Sequence, residues 1–434
     1  MSSVTGAIAS PAVGEACQSI IPDMTRSPMA GRNLILGLSM LQLISWGSVF
    51  YSFALLLEPV ERELGLSRAE SSLAFSLALL AEGLGAYPVG RWIDRGHERL
   101  VMTAGSLLVG LCLLAHGFVN SQAAFYALWT LLGLGLAATL YTPVFSVLTR
   151  RFPEDFRRAI ITMTFLGGLA STVFMPLTAW LIEAFGWRHA TWCLAAAQLL
   201  VCVPLHAWLL RGAPPAAARG SAPAVALSKH LRSAPFLLVG GFVVLMMAVT
   251  AALPAHMVSL LREGGMSPFW VIAIPAAIGL LQVFGRALLY FFERHFDLHL
   301  ANLLIPCLLP LGVVVLLLAI RVAPHDASLG LGLALLFVLL YGIGNGMLTI
   351  VKGTAVAQYV DSDQVGSLNG ALGIPLALAR AAAPLALGLL WTRESGYVHG
   401  LGLMLLISAA AITSLLFAQR RANFATAQQG LARD

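Results

Sequence analysis

The chain has 434 residues, 59% of them hydrophobic and only 11% charged, with a formal net charge of +6. Too few charges are present to cover the surface of a water-soluble body of this size, so the composition excludes a soluble protein and points to one embedded in lipid. The five cysteines show no paired spacing, which argues against a disulfide framework or a thiolate metal site.

Residues 1–32 lack a compact apolar stretch ahead of a cleavage site and are expected to form a flexible cytoplasmic tail. Beyond them, apolar runs of about 20 residues recur, the length an α-helix needs to cross hydrocarbon. Helices are predicted over 33–57, 71–93, 100–118, 122–148, 158–182 and 189–210. A second set is predicted over 235–261, 268–291, 300–320, 329–353, 366–391 and 397–418. With the N-terminus inside, most basic residues fall on the cytoplasmic side, among them Arg91, Arg95, Arg150, Arg151, Lys229 and Arg294. Only Arg62, Arg68, Arg188, Arg262, Arg321 and Arg393 fall outside. This bias sets the topology with both termini cytoplasmic. The positive net charge is therefore a membrane signal, and no nucleic-acid partner is expected.

The stretch 212–234, rich in Ala, Pro and basic residues, separates bundles at 33–211 and 235–418, and 419–434 forms a second tail. The halves echo one another. Asp94-Arg95 corresponds to Glu293-Arg294, Gly133-Leu134-Gly135 to Gly342-Ile343-Gly344, and Pro176 to Pro384. The expected fold is an all-α membrane protein of twelve helices in two pseudo-symmetric bundles. Such repeats place a substrate site between the halves near the bilayer midplane. Proline inside several helices fits a bundle whose neighbours satisfy freed carbonyls, with Pro254 and Pro375 as candidate hinges.

The joint between the second and third helices reads Gly90-Arg91-Trp92-Ile93-Asp94-Arg95-Gly96-His97-Glu98-Arg99, and Phe185-Gly186-Trp187-Arg188 links the fifth and sixth. Both stretches, within two six-helix halves and a basic central loop, resemble the major facilitator superfamily. The later glycine of the first motif arrives one position early. The resemblance implies alternating access, with Gly90, Asp94 and Arg95 holding the cytoplasmic side shut. Gly90 would let a second helix approach closely, and Asp94 would face the start of the eleventh helix near Asp363 to Leu368. Gln282-Val283-Phe284-Gly285-Arg286 is similar to the eighth helix of monocarboxylate transporters, with Gln282 standing where that family has an acid. The first-helix Lys of those carriers has no counterpart in Phe53-Ala54-Leu55. Oxalate/formate exchangers are also similar, and Arg286 and Arg380 would take the places of their basic groups.

Charge inside a helix costs about 2.5–3.5 kcal/mol on insertion scales and seldom faces lipid. Arg286 is therefore expected to grip a substrate anion with Gln282 one turn away; snorkelling, or a gate contact to the fifth helix, stays open. Lys352 shares a stripe with Asn345 and Thr349, as a second cation or a membrane anchor. Glu82 and Arg380 lie at similar depth and are expected to pair across the halves, with Glu82 a candidate for proton coupling. Gln42, Trp46, Tyr141 and Thr142 are expected to line the cavity, whereas Tyr51 is assigned to the interfacial aromatic belt. No metal spacing, phosphate loop or nucleophile-base-acid set appears, so neither an enzyme nor a cofactor is expected. The sequence reads as a monomeric secondary transporter of a bacterial inner membrane. Its partners would be a small organic anion, mono- or dicarboxylate-like, and protons or a counter-anion. Efflux of drugs or oxyanions, and a sensor without flux, remain as alternatives.

Overall fold

The computed structural model describes residues 28–152, 156–212, 231–292, 298–360 and 365–431. Most of the expected N-terminal tail and of the 212–234 linker lies outside these residues. The first half comprises α1 (Gly31–Leu64), α2 (Arg68–Trp92), α3 (Glu98–His116), α4 (Gln122–Arg151), α5 (Ala159–Phe185) and α6 (Trp187–Leu209). The second comprises α7 (Ala234–Glu263), α8 (Pro268–Phe292), α9 (Leu298–Val322), α10 (Ala327–Tyr359) and α12 (Val398–Leu431). Between α10 and α12, α11 runs in two pieces, Val365–Ala371 and Gly373–Leu389. Among the described residues there is no strand beyond an isolated bridge between Thr392 and Gly396.

Local chemistry sets the joints. Gly65 ends α1 in the left-handed region, and Ser67 starts α2 with a reciprocal cap in which its backbone N–H reaches Glu70 at 2.8 Å. Gly96, at φ +89°, turns the chain between α2 and α3 within the signature loop. Asp326 caps α10 by accepting from the N–H groups of Ser328 and Leu329, both at 3.0 Å.

Three predicted continuous helices are interrupted. α4 breaks at Leu140, three residues before Pro143, whose missing N–H frees the carbonyl of Thr139. α11 breaks at Leu372, three residues before Pro375. α5 is interrupted between Gly167 and Ala170. The last helix continues past the expected end at 418 to Leu431.

Each half has its own apolar core, one centred on residues such as Phe53, Phe75 and Trp129, the other on Phe242, Phe337 and Leu348. Exposed Leu84, Leu107, Leu111, Leu304 and Leu311 coat the outside, as expected for a surface in contact with acyl chains. The paired Gly-x-Gly motifs play equivalent parts. In α4, Gly133 abuts Ala78 of α2 and Gly135 abuts Val109 of α3; in α10, Gly342 abuts Leu281 of α8 and Gly344 abuts Leu308 of α9. The halves meet along α2 with α11, α5 with α8, and α1 with α7. Small residues permit this approach: Gly83 fits against Ala377, and Gly279 against Ser171.

Candidate functional site

The site begins with a widened turn in α1. Trp46 to Tyr51 forms a π-helical turn, and the Ser52 hydroxyl donates to the Gly47 carbonyl at 2.7 Å. A side chain at Gly47 would overlap the Phe174 ring of α5, so glycine lets α1 lie close there. The extra residue in the turn turns Trp46, Phe50 and Tyr51 toward a cavity between the halves. Tyr51 is therefore a cavity residue, not a member of the aromatic belt. A residue with a polar tip suits either place, and only the turn's register distinguishes them.

The break in α4 supplies the next wall. Tyr141 and Thr142 start its second segment and line the cavity. Tyr141 stacks on Phe145 at 5.5 Å and lies 5.1 Å from the ring of Trp46. Gln42 does not reach this cavity. It is fully buried, and its amide donates to the Thr139 carbonyl at 2.5 Å, satisfying the acceptor that Pro143 releases. The expectation that Gln42 contacts substrate is corrected on this ground.

The second half contributes charge. Gln282 and Arg286, one turn apart on α8, both line the cavity. Arg286 donates through Nη1 to the Thr164 carbonyl of α5 at 3.0 Å, the cross-half contact left open by the sequence. Among the described residues, its Nε is buried without a hydrogen-bond partner. On α10, Tyr341, Asn345, Thr349 and Lys352 follow one stripe into the same space. Lys352 Nζ lies 3.4 Å from the hydroxyl of Thr250 on α7. Arg380 of α11 grips Glu82 of α2 with two bonds of 3.0 Å, joining the halves as expected. Glu82 thus offsets one of three cations. Among the described residues, neither Arg286 nor Lys352 has a carboxylate partner. The cavity holds about 300 Å³.

Three expected gate residues lie elsewhere, at the α2–α3 joint. Among the described residues, a side chain at Gly90 would meet nothing within 4 Å. Asp94 and Arg95 are exposed. The stretch 361–364, part of the segment expected to face Asp94, lies outside the described residues. The buried acid of this motif is Glu98, whose carboxylate lies 3.5 Å from Arg150 and accepts from Arg151 at 2.5 Å. This knot braces α3 against α4.

The end of the bundle away from the described termini is bridged by a cluster that sequence reasoning treated only as outside charge. Arg68 is 9% exposed; its Nε lies 2.9 Å from Glu61, and its Nη2 3.4 Å from Glu263. Its Nη1 donates to the Tyr397 hydroxyl at 2.5 Å. Tyr397 in turn lies 3.1 Å from the ring of His256, whose other nitrogen is 2.9 Å from the Pro384 carbonyl. Arg262 pairs with Glu58. Glu58, Glu61 and Arg68 come from the first half, and His256, Arg262, Glu263 and Tyr397 from the second, so this cluster latches the two together. Thr250 and Tyr341 were also missed as cavity residues, although Tyr341 precedes Asn345 by four residues on the recognised stripe.

Two closed bundles with a charged cavity at their seam describe a carrier. The family model described as Major Facilitator Superfamily matches residues 35–384. The chain belongs to the major facilitator superfamily. It is 27% identical over 324 residues to monocarboxylate transporter 13 of Bos taurus, covering 71% of this chain and 73% of that one. It is 32% identical over 155 residues to the oxalate:formate antiporter of Oxalobacter formigenes, covering 35% of this chain and 36% of the relative. A gallate transporter of Pseudomonas putida is 32% identical over 149 residues, covering 34% of this chain and 32% of the relative. Among solved structures, the nucleoside transporter NupG (D323A mutant) superposes with a TM-score of 0.69 at 14% identity, over 90% of this chain and 99% of that one. A bacterial homolog to the human lysosomal transporter Spinster, in an inward-facing and unoccupied conformation, gives 0.67 at 15% identity, over 92% and 98%. The protein is a multi-pass superfamily transporter and not an enzyme.

Proposed function

We propose that this superfamily transporter carries a small organic anion, a carboxylate, across a bacterial inner membrane by alternating access. The observation that carries this reading is the pair of cations, Arg286 and Lys352, that face the inter-half cavity without an acid. Uncompensated charge at membrane depth is costly, and an anionic guest offsets that cost. Arg286 is the principal anion contact, because a guanidinium presents paired donors that match a carboxylate. Lys352 supplies a second positive charge, and Gln282, Asn345 and Thr142 supply polar contacts. A cavity of about 300 Å³ lies at the small end of ligand sites. Three of the relatives are named for monocarboxylate, oxalate and formate, or gallate, all carboxylates.

Glu82 and Arg380 tie substrate to motion. An anion that competes for Arg380 loosens the pair that bridges α2 and α11, and the freed carboxylate takes the proton in a symport cycle. In exchange, Glu82 returns to Arg380 without taking a proton, and a counter-anion replaces the substrate at the cations for the return step. The latch around Arg68 closes one face, so opening that face requires its ionic contacts to part. Asp94 and Arg95 are assigned to the opposite gate.

Reconstituted counterflow tests the reading. Proteoliposomes preloaded with unlabelled carboxylates are expected to accumulate the labelled acid transiently, and cationic dyes are not expected to exchange. Exchange of dyes or of arsenate-type oxyanions without any carboxylate would overturn it. Proton uptake on adding substrate distinguishes the coupling modes and is expected to vanish in Glu82→Gln if the cycle is symport.

A further inference from the structure

The two faces of the cavity differ in kind, and their chemistry restricts the body of the anion as well as its charge. The first half presents an aromatic wall: Trp46 lies 5.0 Å from Phe50 and 5.1 Å from Tyr141, in edge and tilted contacts. Met175, Met247 and Met257 add soft, polarisable surface around it. The cations and amides, Arg286, Lys352, Arg380, Gln282 and Asn345, come from the second half, and the first half adds one acid, Glu82, which Arg380 already holds. An anion held by Arg286 therefore has an aromatic surface opposite it. An acid of one to three carbons leaves that surface without a partner.

Unmade hydrogen bonds sharpen the picture. Three buried polar atoms on cavity-lining side chains have no hydrogen-bond partner among the described residues: Nε of Arg286, Nε1 of Trp46 and the hydroxyl of Tyr341. Tyr341 is itself fully buried. Buried polar atoms such as Ser76 Oγ and Ser259 Oγ also lack a partner away from the cavity, so it is the grouping of three such atoms around one cavity that points to a ligand. The Arg286 Nε matches a carboxylate oxygen, because Nη1 is already committed to Thr164. The Trp46 N–H can only donate, and the Tyr341 hydroxyl can donate or accept. They call for a further oxygen at a distance from the carboxylate.

Resting on the carboxylate reading above, we infer that the preferred substrate is a hydroxylated aromatic monocarboxylate. Its carboxylate meets Arg286, its ring lies on the wall of Trp46 and Tyr141, and its ring hydroxyl meets Tyr341 or Trp46. Aromatic faces favour a flat ring over an aliphatic chain of equal volume.

Calorimetric titration of the purified full-length protein with 4-hydroxybenzoate, benzoate and lactate tests this. The expected order of affinity is 4-hydroxybenzoate, then benzoate, then lactate, with about tenfold between benzoate and lactate. Tyr341→Phe is expected to reduce the preference for 4-hydroxybenzoate over benzoate by about fivefold. Trp46→Leu is expected to reduce the preference for benzoate over lactate. These selectivity ratios do not move if the side chains only support the fold. Lactate binding as tightly as benzoate would overturn the inference and leave the carboxylate reading standing. No binding of any of the three, by a protein that still melts cooperatively, would overturn both.

Discussion

Replacing Glu82 by Gln isolates Arg380 between the two halves. In the intact pair both Arg380 Nη atoms reach the carboxylate at 3.0 Å, with the side chains 21% and 11% exposed. Two unit charges about 4 Å apart attract by about 4 kcal/mol at an effective dielectric near 20. Stripping one partner from a fully buried pair costs about 3–5 kcal/mol. The cavity exposure of the guanidinium reduces this to about 2–3 kcal/mol. The two single variants are not equivalent. Glu82→Gln leaves the cavity lining with three cations and no acid, whereas Arg380→Gln leaves two cations and one acid. Glu82→Gln is therefore the more damaging. The double variant removes both charges and recovers part of the loss. Unfolding free energies in mixed detergent micelles, followed by tryptophan fluorescence, give the double-mutant cycle. The expected coupling is about 2 kcal/mol. Additive effects within about 0.5 kcal/mol would refute an energetic link between the halves at this point.

Two further perturbations separate structural from transport roles. Gln42→Leu leaves the Thr139 carbonyl buried without its donor and is expected to cost about 1–3 kcal/mol of stability with anion affinity unchanged; an affinity change at full stability would contradict the reassignment of Gln42. Arg68→Ala removes the centre of the latch, and a loss of about 1.4 kcal/mol moves a two-state equilibrium tenfold. In a background without native cysteines, Met257→Cys is then expected to react about tenfold faster with an impermeant thiol reagent added at the latch face. An unchanged rate would show that Arg68 does not hold that face closed.

Much of this protein is legible because a membrane penalises exceptions. Arg286, Lys352, Glu82 and Arg380 interrupt apolar runs, and the cost of charge in lipid predicts that they turn inward, as they do. The depth of Glu82 and Arg380 follows from helix rise, so their pairing could be anticipated. Other features depend on partners that spacing does not reveal. Gln42 sits one turn from Trp46 and looks like its companion on a cavity face. Its actual partner is a carbonyl 97 residues away, freed by a proline in another helix. Pro143 and Pro375 carry the signal for the breaks in α4 and α11, yet membrane helices also tolerate proline by kinking, so sequence leaves the two outcomes open. The π-helical turn of α1 requires the fit of Gly47 against Phe174, a tertiary contact. Arg68 reads as a surface charge because its acids and its tyrosine come from separate segments that only the fold assembles.

The central claim is that unpaired cations at the seam hold the transported anion. Benzoate titration of the intact protein against Arg286→Gln tests it most directly. Losing a charge-assisted contact worth about 2 kcal/mol weakens binding about thirtyfold. The account predicts a loss of that size with cooperative melting retained. Equal benzoate affinity in both proteins would contradict it.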